Sequence, residues 1–186
     1  MAEVETALHQ LQAKCPTVFV GGESTGGLLA LYLAARHPEV AGILAYAPAL
    51  KLSASSFDII RLNLMAPFIP YVPKESMDGD TQWQGYPVNP LKGARQLLKL
   101  QKVVLPRLPE IRQPILVVQG RLDTTVHPSV PETIASRVSS QLVRVHWMQA
   151  SSHVVIIDQE LEQVAEITLQ FLRLAIRQPS PVTPAP

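Results

Sequence analysis

The sequence predicts an α/β fold, a mostly parallel sheet of about four strands flanked by helices and interrupted by a helical insertion. Three observations carry this expectation. Short apolar runs at residues 18–20, 42–47 and 115–120 alternate with segments of helical periodicity. The first run passes straight into glycines and then into a helix-forming stretch, Leu28-Leu29-Ala30-Leu31. Prolines mark several of the switches, at Pro16, Pro38, Pro48 and Pro128.

Residues 2–13 place Val4, Ala7, Leu8 and Leu11 at helical spacing, so the chain opens on an amphipathic helix that Cys15-Pro16 ends. Residues 17–21 are apolar at nearly every position, as befits a strand covered on both faces. The helix after them reaches about His37 and stops at Pro38. Residues 42–47 form the second strand, which Pro48 closes.

From residue 49 to 110 the periodicity degrades among Pro67, Pro70, Pro73, Pro87, Pro90, Pro106 and Pro109, with one clear helix from about Pro90 to Val104. A segment this long between core strands is more than a connector and reads as a lid. Residues 115–120 are the third strand, and Arg121-Leu122-Asp123-Thr124-Thr125 is the loop at its carboxyl end. Residues 128–138 form a helix, and 142–148 alternate as a strand near a sheet edge does. His153 follows a short loop, and Asp158 reads as the N-cap of a final amphipathic helix reaching about Ile176. The expected core is therefore 1–48 with 111–177, the lid is 49–110, and the Pro-rich tail 178–186 is expected to be disordered.

Composition narrows the function classes. With 186 residues the chain is long enough for one domain with a real core. A formal charge of +1 gives no electrostatic reason to expect nucleic acid as a partner. No apolar run approaches the roughly 18 residues of a membrane span. Cys15 is the single cysteine, so no internal disulfide forms, and the first residues are acidic where a secretory leader is basic. The expected location is the cytoplasm. The five histidines lack metal-ligand spacing, and neither a P-loop nor a dinucleotide fingerprint occurs, so no metal or cofactor is expected.

The chemistry concentrates at Gly22-Glu23-Ser24-Thr25-Gly26. This fits G-x-S-x-G, the nucleophile elbow of α/β-hydrolases, in the strand–turn–helix setting the motif requires. The tight turn thrusts a serine hydroxyl outward while small residues on either side avoid clashes. The helix that begins there points its N–H groups and positive dipole end to where an oxyanion would form. Ser24, Asp123 and His153 each lie at the carboxyl end of a different strand, where functional groups gather in such sheets, and in the order Ser…Asp…His. A serine hydroxyl needs a base to lose its proton; His153 would supply it, with Asp123 holding the imidazole. Asp158 is the rival acid and Asp123 alone could be a turn residue. His9 and His37 fall at helix surfaces or ends, His127 at a loop-to-helix junction and His146 on a sheet face.

The segment from Ile111-Arg112-Gln113-Pro114 through Gly120-Arg121-Leu122-Asp123, Ser152-His153-Val154 and Asp158-Gln159-Glu160 resembles bacterial carboxylesterases and monoacylglycerol lipases. So do the Gly22–Gly27 elbow and Tyr46-Ala47-Pro48. The resemblance implies Ser24 as nucleophile, Asp123 as acid, His153 as base and the Thr25 N–H as one oxyanion donor. It also implies core strands ahead of the first helix, one followed by a loop supplying a second oxyanion donor, so the fold is expected to be truncated on its N-terminal side. The strand at 17–21 then becomes an exposed edge, a candidate for pairing two copies into a homodimer. Losing one oxyanion donor costs about 10²–10³ in rate, so such a chain would be impaired rather than inert. The expected activity is hydrolysis of small carboxylic esters, with an apolar acyl group against Phe57, Phe68 or Trp83. A thioesterase or serine peptidase of the same superfamily is the enzymatic alternative. A non-catalytic remnant acting as a strand-pairing module is the alternative of a different class.

Overall fold

Six consecutive buried residues, Ile115–Gly120, set the centre of the molecule, because a strand apolar on both faces is stable only between other layers. In the computed structural model, which describes residues 1–73 and 86–177, this strand (β5) lies inside a four-stranded parallel sheet. The other strands are β1 (Phe19–Glu23), β2 (Gly42–Tyr46) and β6 (Val143–Met148), in the spatial order β1-β2-β5-β6. Registers are continuous, with Ile43 opposite Ile115 and Ile115 opposite Val143.

The sheet separates two apolar layers. Helices α1 (Ala2–Gln12), α2 (Thr25–Arg36), α4 (Leu91–Val104) and α5 (Val130–Arg137) bring Leu8, Leu28, Leu31, Leu100, Val104 and Ile134 against Ile43, Ile115 and Val117. Helix α6 (Leu161–Ala175) brings Val164, Phe171 and Ala175 against Leu116 and Val118 on the other face. Alternate residues of β5 thus serve opposite layers, the period-two geometry of a strand.

Three expectations change. The first strand spans Phe19–Glu23 rather than 17–21. Gly21 and Gly22 do not end it: a Cβ at Gly21 would meet the Leu44 Cβ at 2.9 Å, so close approach to β2 favours glycine inside the strand. The last helix begins at Leu161, and Asp158 does not cap it. The side chain of Asp158 instead accepts the Ser152 N–H at 2.6 Å and the Ser152 hydroxyl at 2.8 Å.

The insertion also divides in two. Helix α3 (Ser56–Met65), closed at its start by a Ser55–Asp58 capping box, buries none of its residues. A short antiparallel pair, β3 (Tyr71–Pro73) with β4 (Val88–Pro90), follows it. Beyond Leu91, α4 and the 3-10 turn Leu105–Glu110 pack into the main apolar layer through Leu100, Val104 and Leu108. Trp83 and the tail at 178–186 lie outside the described residues. No helix among the described residues is long and apolar enough to cross a membrane.

The carboxyl end of β5 makes one contact on which the site depends. A Cβ on Gly120 would overlap the carbonyl oxygens of Ser151 and Ser152, the two residues before His153. The Leu122 N–H donates to Ser151 O at 3.0 Å across the same junction. Gly120→Ala therefore forces this loop away from the sheet and should cost about 1–3 kcal/mol, the range for overpacking a rigid site. Urea unfolding of the variant checks this, and a midpoint equal to that of the native chain would contradict it.

Candidate active site

Ser24 occupies a backbone conformation that few side chains adopt, φ 54° and ψ −114°. Its neighbours hold it there. The Ser24 N–H donates to Tyr46 O at 2.9 Å, and the Ser24 carbonyl accepts the Ala49 N–H at 2.9 Å and the Leu28 N–H at 3.2 Å. One residue is thus tied both to the end of β2 and to the first turn of α2. The second strained residue, Ala47 at φ 39°, lies in the same β2 turn, and its N–H donates to Val118 O at 2.7 Å. Gly22 makes the elbow sterically feasible, because a Cβ there would meet Gly26 Cα at 2.9 Å. Gly26 matters as the close neighbour rather than for its own missing Cβ, which would meet nothing within 4 Å.

Asp123 sits in the turn after β5, with its side chain only 1 % exposed. Its Oδ1 accepts the N–H groups of Thr125 at 2.8 Å and Val126 at 2.9 Å. Its Oδ2 accepts the Gln119 amide at 3.1 Å and faces His153 Nδ1 at 3.0 Å. A buried carboxylate needs such a donor set to remain ionised. Gln119 itself is buried, and its Oε1 has no hydrogen-bond partner.

His153 arrives on the loop after β6, and two carboxylates from the run before α6 hold that loop. Glu160 accepts the N–H groups of Gln149 and Ala150 and the Ser151 hydroxyl, at 3.0, 2.8 and 2.7 Å. Asp158 holds Ser152 as described above. Burial works against ionising both groups, yet the Ser152 and Ser151 donors keep their carboxyls below the usual range. So placed, His153 Nε2 lies 3.0 Å from Ser24 Oγ. Because the carboxylate of Asp123 only accepts, Nδ1 carries the proton and Nε2 is free to take one from the serine. Residues 24, 123 and 153 form one continuous hydrogen-bonded chain.

A family model described as the alpha/beta hydrolase family matches residues 1–167 of this sequence. The chain belongs to that family. It is 27% identical over 171 residues to the thermostable monoacylglycerol lipase of Bacillus sp. strain H-257, an alignment covering 92% of this chain and 68% of that one. A solved structure from work on LipS and LipT, two metagenome-derived lipolytic enzymes, superposes with a TM-score of 0.84 at 29% identity, over 93% of this chain and 71% of the other. The monoacylglycerol lipase of Paleococcus ferrophilus shares the fold, with a TM-score of 0.76 at 16% identity over 92% of this chain and 73% of that one.

Around the chain of three, this hydrolase adds groups that the sequence reading had not singled out. Glu23, beside Ser24, is half-buried, and its Oε1 accepts the Ile156 N–H at 3.2 Å. Burial pushes its carboxyl up to about 7, against the pull of the Ile156 and Val155 N–H groups and of His153. Gln119 carried a signal in the sequence, a polar residue in an otherwise apolar strand four positions before an aspartate. Thr25 is the first residue of α2, where helical N–H groups lack intrahelical partners. Phe57 and Phe68 are 71% and 85% exposed on the insertion. His9, His37, His127 and His146 lie on α1, at the end of α2, before α5 and on β6, and none of them is hydrogen-bonded to Ser24 or Asp123 in the described contacts. Among the described residues no cluster of three or more His, Cys, Asp or Glu could hold a metal ion.

Replacing Gln119 separates the support of Asp123 from stability. Gln119→Leu removes one of the donors to Asp123 and also the unpartnered buried Oε1, whose desolvation costs about 1–3 kcal/mol. The expected result is a kcat lowered roughly tenfold with a melting temperature equal to or above that of the native chain. An unchanged kcat would show that Asp123 does not depend on this amide.

Proposed function

We propose that this chain is a serine hydrolase that cleaves carboxylic esters bearing an apolar acyl group, through an acyl-enzyme on Ser24. The observation that carries the reading is the pair of 3.0 Å contacts linking Ser24 Oγ to His153 Nε2 and His153 Nδ1 to a buried Asp123. As Ser24 Oγ bonds to the ester carbonyl carbon, its proton passes to His153 Nε2. Asp123 stabilises the resulting imidazolium and stays ionised. The tetrahedral oxyanion accepts the Thr25 N–H at the start of α2. Its collapse breaks the bond to the alcohol, which leaves with the proton from His153. Water then attacks the acyl carbon, His153 takes the water proton, and the acid is released as that proton returns to Ser24.

The lipolytic relatives support an ester substrate, and the exposed Phe57 and Phe68 of the insertion are suited to contact its acyl chain. A partner contact belongs to the same proposal. β1 lies at the sheet edge beside an apolar groove of about 320 Å³ lined by Val4, Leu8 and Leu11 of α1, Val20 of β1 and Leu29 and Leu33 of α2. Ser24, Asp123 and His153 do not line this groove, so it is no acyl pocket. The proposal gives the edge to a second copy of the chain.

One experiment tests activity and assembly together: hydrolysis of p-nitrophenyl esters of graded acyl length by the native chain and by Ser24→Ala, each with its mass in solution. Ser24→Ala should lose at least ~10³-fold in kcat. The native mass should be that of a dimer, and longer acyl chains should lower KM. A folded native chain no faster than Ser24→Ala would overturn the enzymatic reading; a monomeric mass would overturn the pairing alone.

A further inference from the structure

Glu23 takes no part in the proton transfers above, yet it joins the two elements between which they occur. It is the last residue of β1 and immediately precedes Ser24. Its carboxylate accepts the N–H of Ile156, three residues beyond His153, at 3.2 Å. The carboxylates of Asp158 and Glu160 hold residues 149–152, all of them before His153. Glu23 holds the chain after it. Elbow and histidine loop, 129 residues apart in sequence at their reactive groups, are thus tied twice. The tie between Ser24 Oγ and His153 Nε2 is lost in every turnover, when the serine is acylated and has no proton to donate. The tie through Glu23 persists.

We propose that Glu23 is a positioning residue: through the Ile156 N–H it keeps His153 within reach of the acyl carbon while Ser24 is esterified. The inference rests on the reading of Ser24 and His153 given above. An ionised carboxylate accepts an N–H more strongly than a neutral one, so the tie tightens as Glu23 loses its proton. Among the described residues two titratable groups act on it through their charge. His153 favours the ionised form and Asp123 opposes it, while Tyr46 is its register partner on β2. Burial raises the Glu23 carboxyl from an ordinary 4.5 to about 7. The folded chain therefore retains a proton that the unfolded chain releases between these values. Stability from this group is fully present below 4.5 and is lost as the pH rises toward 7. Tighter positioning of His153 thus coincides with lower stability, and the acid limb of activity contains the Glu23 ionisation.

The test compares the native chain with Glu23→Ala and Glu23→Gln, the latter retaining an acceptor oxygen at the same reach. Glu23→Ala should lower kcat for p-nitrophenyl esters about 10–100-fold at pH 8, with KM falling alongside it so that kcat/KM stays within about twofold, and with a pre-steady-state burst of p-nitrophenol that marks slowed deacylation. Glu23→Gln should recover kcat to within about threefold of native at pH 8, and its acid limb should lack the ionisation at about 7 that Glu23 adds to the native limb. Amide hydrogen exchange across residues 153–157 should quicken in Glu23→Ala. The melting temperature of Glu23→Gln should gain on that of the native chain as the pH climbs. Native kcat and native exchange in Glu23→Ala would overturn the assignment, and so would a Glu23→Gln no better than alanine. Should Glu23→Ala fail to fold, the acid limb and exchange of Glu23→Gln decide. A native chain that hydrolyses no ester and whose Ser24 resists a fluorophosphonate would defeat the serine hydrolase reading instead, leaving the exchange data to decide whether Glu23 holds the loop.

Discussion

The backbone of Ser24 is the constraint on which the rest depends. A non-glycine residue at φ 54° is strained, and strain of this kind persists only where the surroundings over-determine it. Here they do so from two sides, through Tyr46 O and the Ala49 N–H on the β2 turn and through the Leu28 N–H in α2. The distortion is shared by Ala47 in the facing turn, which Val118 O anchors to β5. Three adjacent strands therefore meet at the point where the serine hydroxyl leaves the sheet.

From that point outward, the site is built by carboxylates that differ in what surrounds them. Asp123 is buried but receives two backbone N–H groups, an amide and the imidazole, which satisfy its oxygens in place of water. Asp158 and Glu160 receive backbone and hydroxyl donors at the loop before His153 and hold its shape. Glu23 receives fewer donors for its burial, so its proton is held to about 7. Aspartate and glutamate carboxylates thus give a histidine partner, two loop anchors and a titrating tie, according to which local donors replace water.

The insertion shows how packing divides a segment that looks uniform in sequence. Its prolines and aromatics suggested one lid from 49 to 110. The part after Leu91 carries an apolar stripe with a partner, helix α2, and becomes core. The part before it, α3, has apolar residues such as Phe57, Ile60 and Leu64 that remain exposed. Periodicity finds a helix; it does not say which helices find a surface to cover.

The sequence by itself determined the parallel sheet, its four strands and the order Ser24, Asp123, His153. Short apolar runs, glycine turns and motif spacing are local properties of the chain, legible without coordinates. The edge position of the first strand was expected from the resemblance rather than from local pattern, and the strand runs from Phe19 to Glu23 where 17–21 was expected. The tertiary structure alone decided what the carboxylates do. Asp158 was legible as a helix cap because aspartate before a helical run usually is one. In the fold it turns back to Ser152, six residues away, because the loop carrying His153 leaves an N–H and a hydroxyl that need an acceptor. The roles of Gln119 and Glu23 rest on contacts with side chains and loops that are neighbours only in space. Propensity and motif follow the chain, whereas the satisfaction of buried polar groups depends on what folding brings beside them.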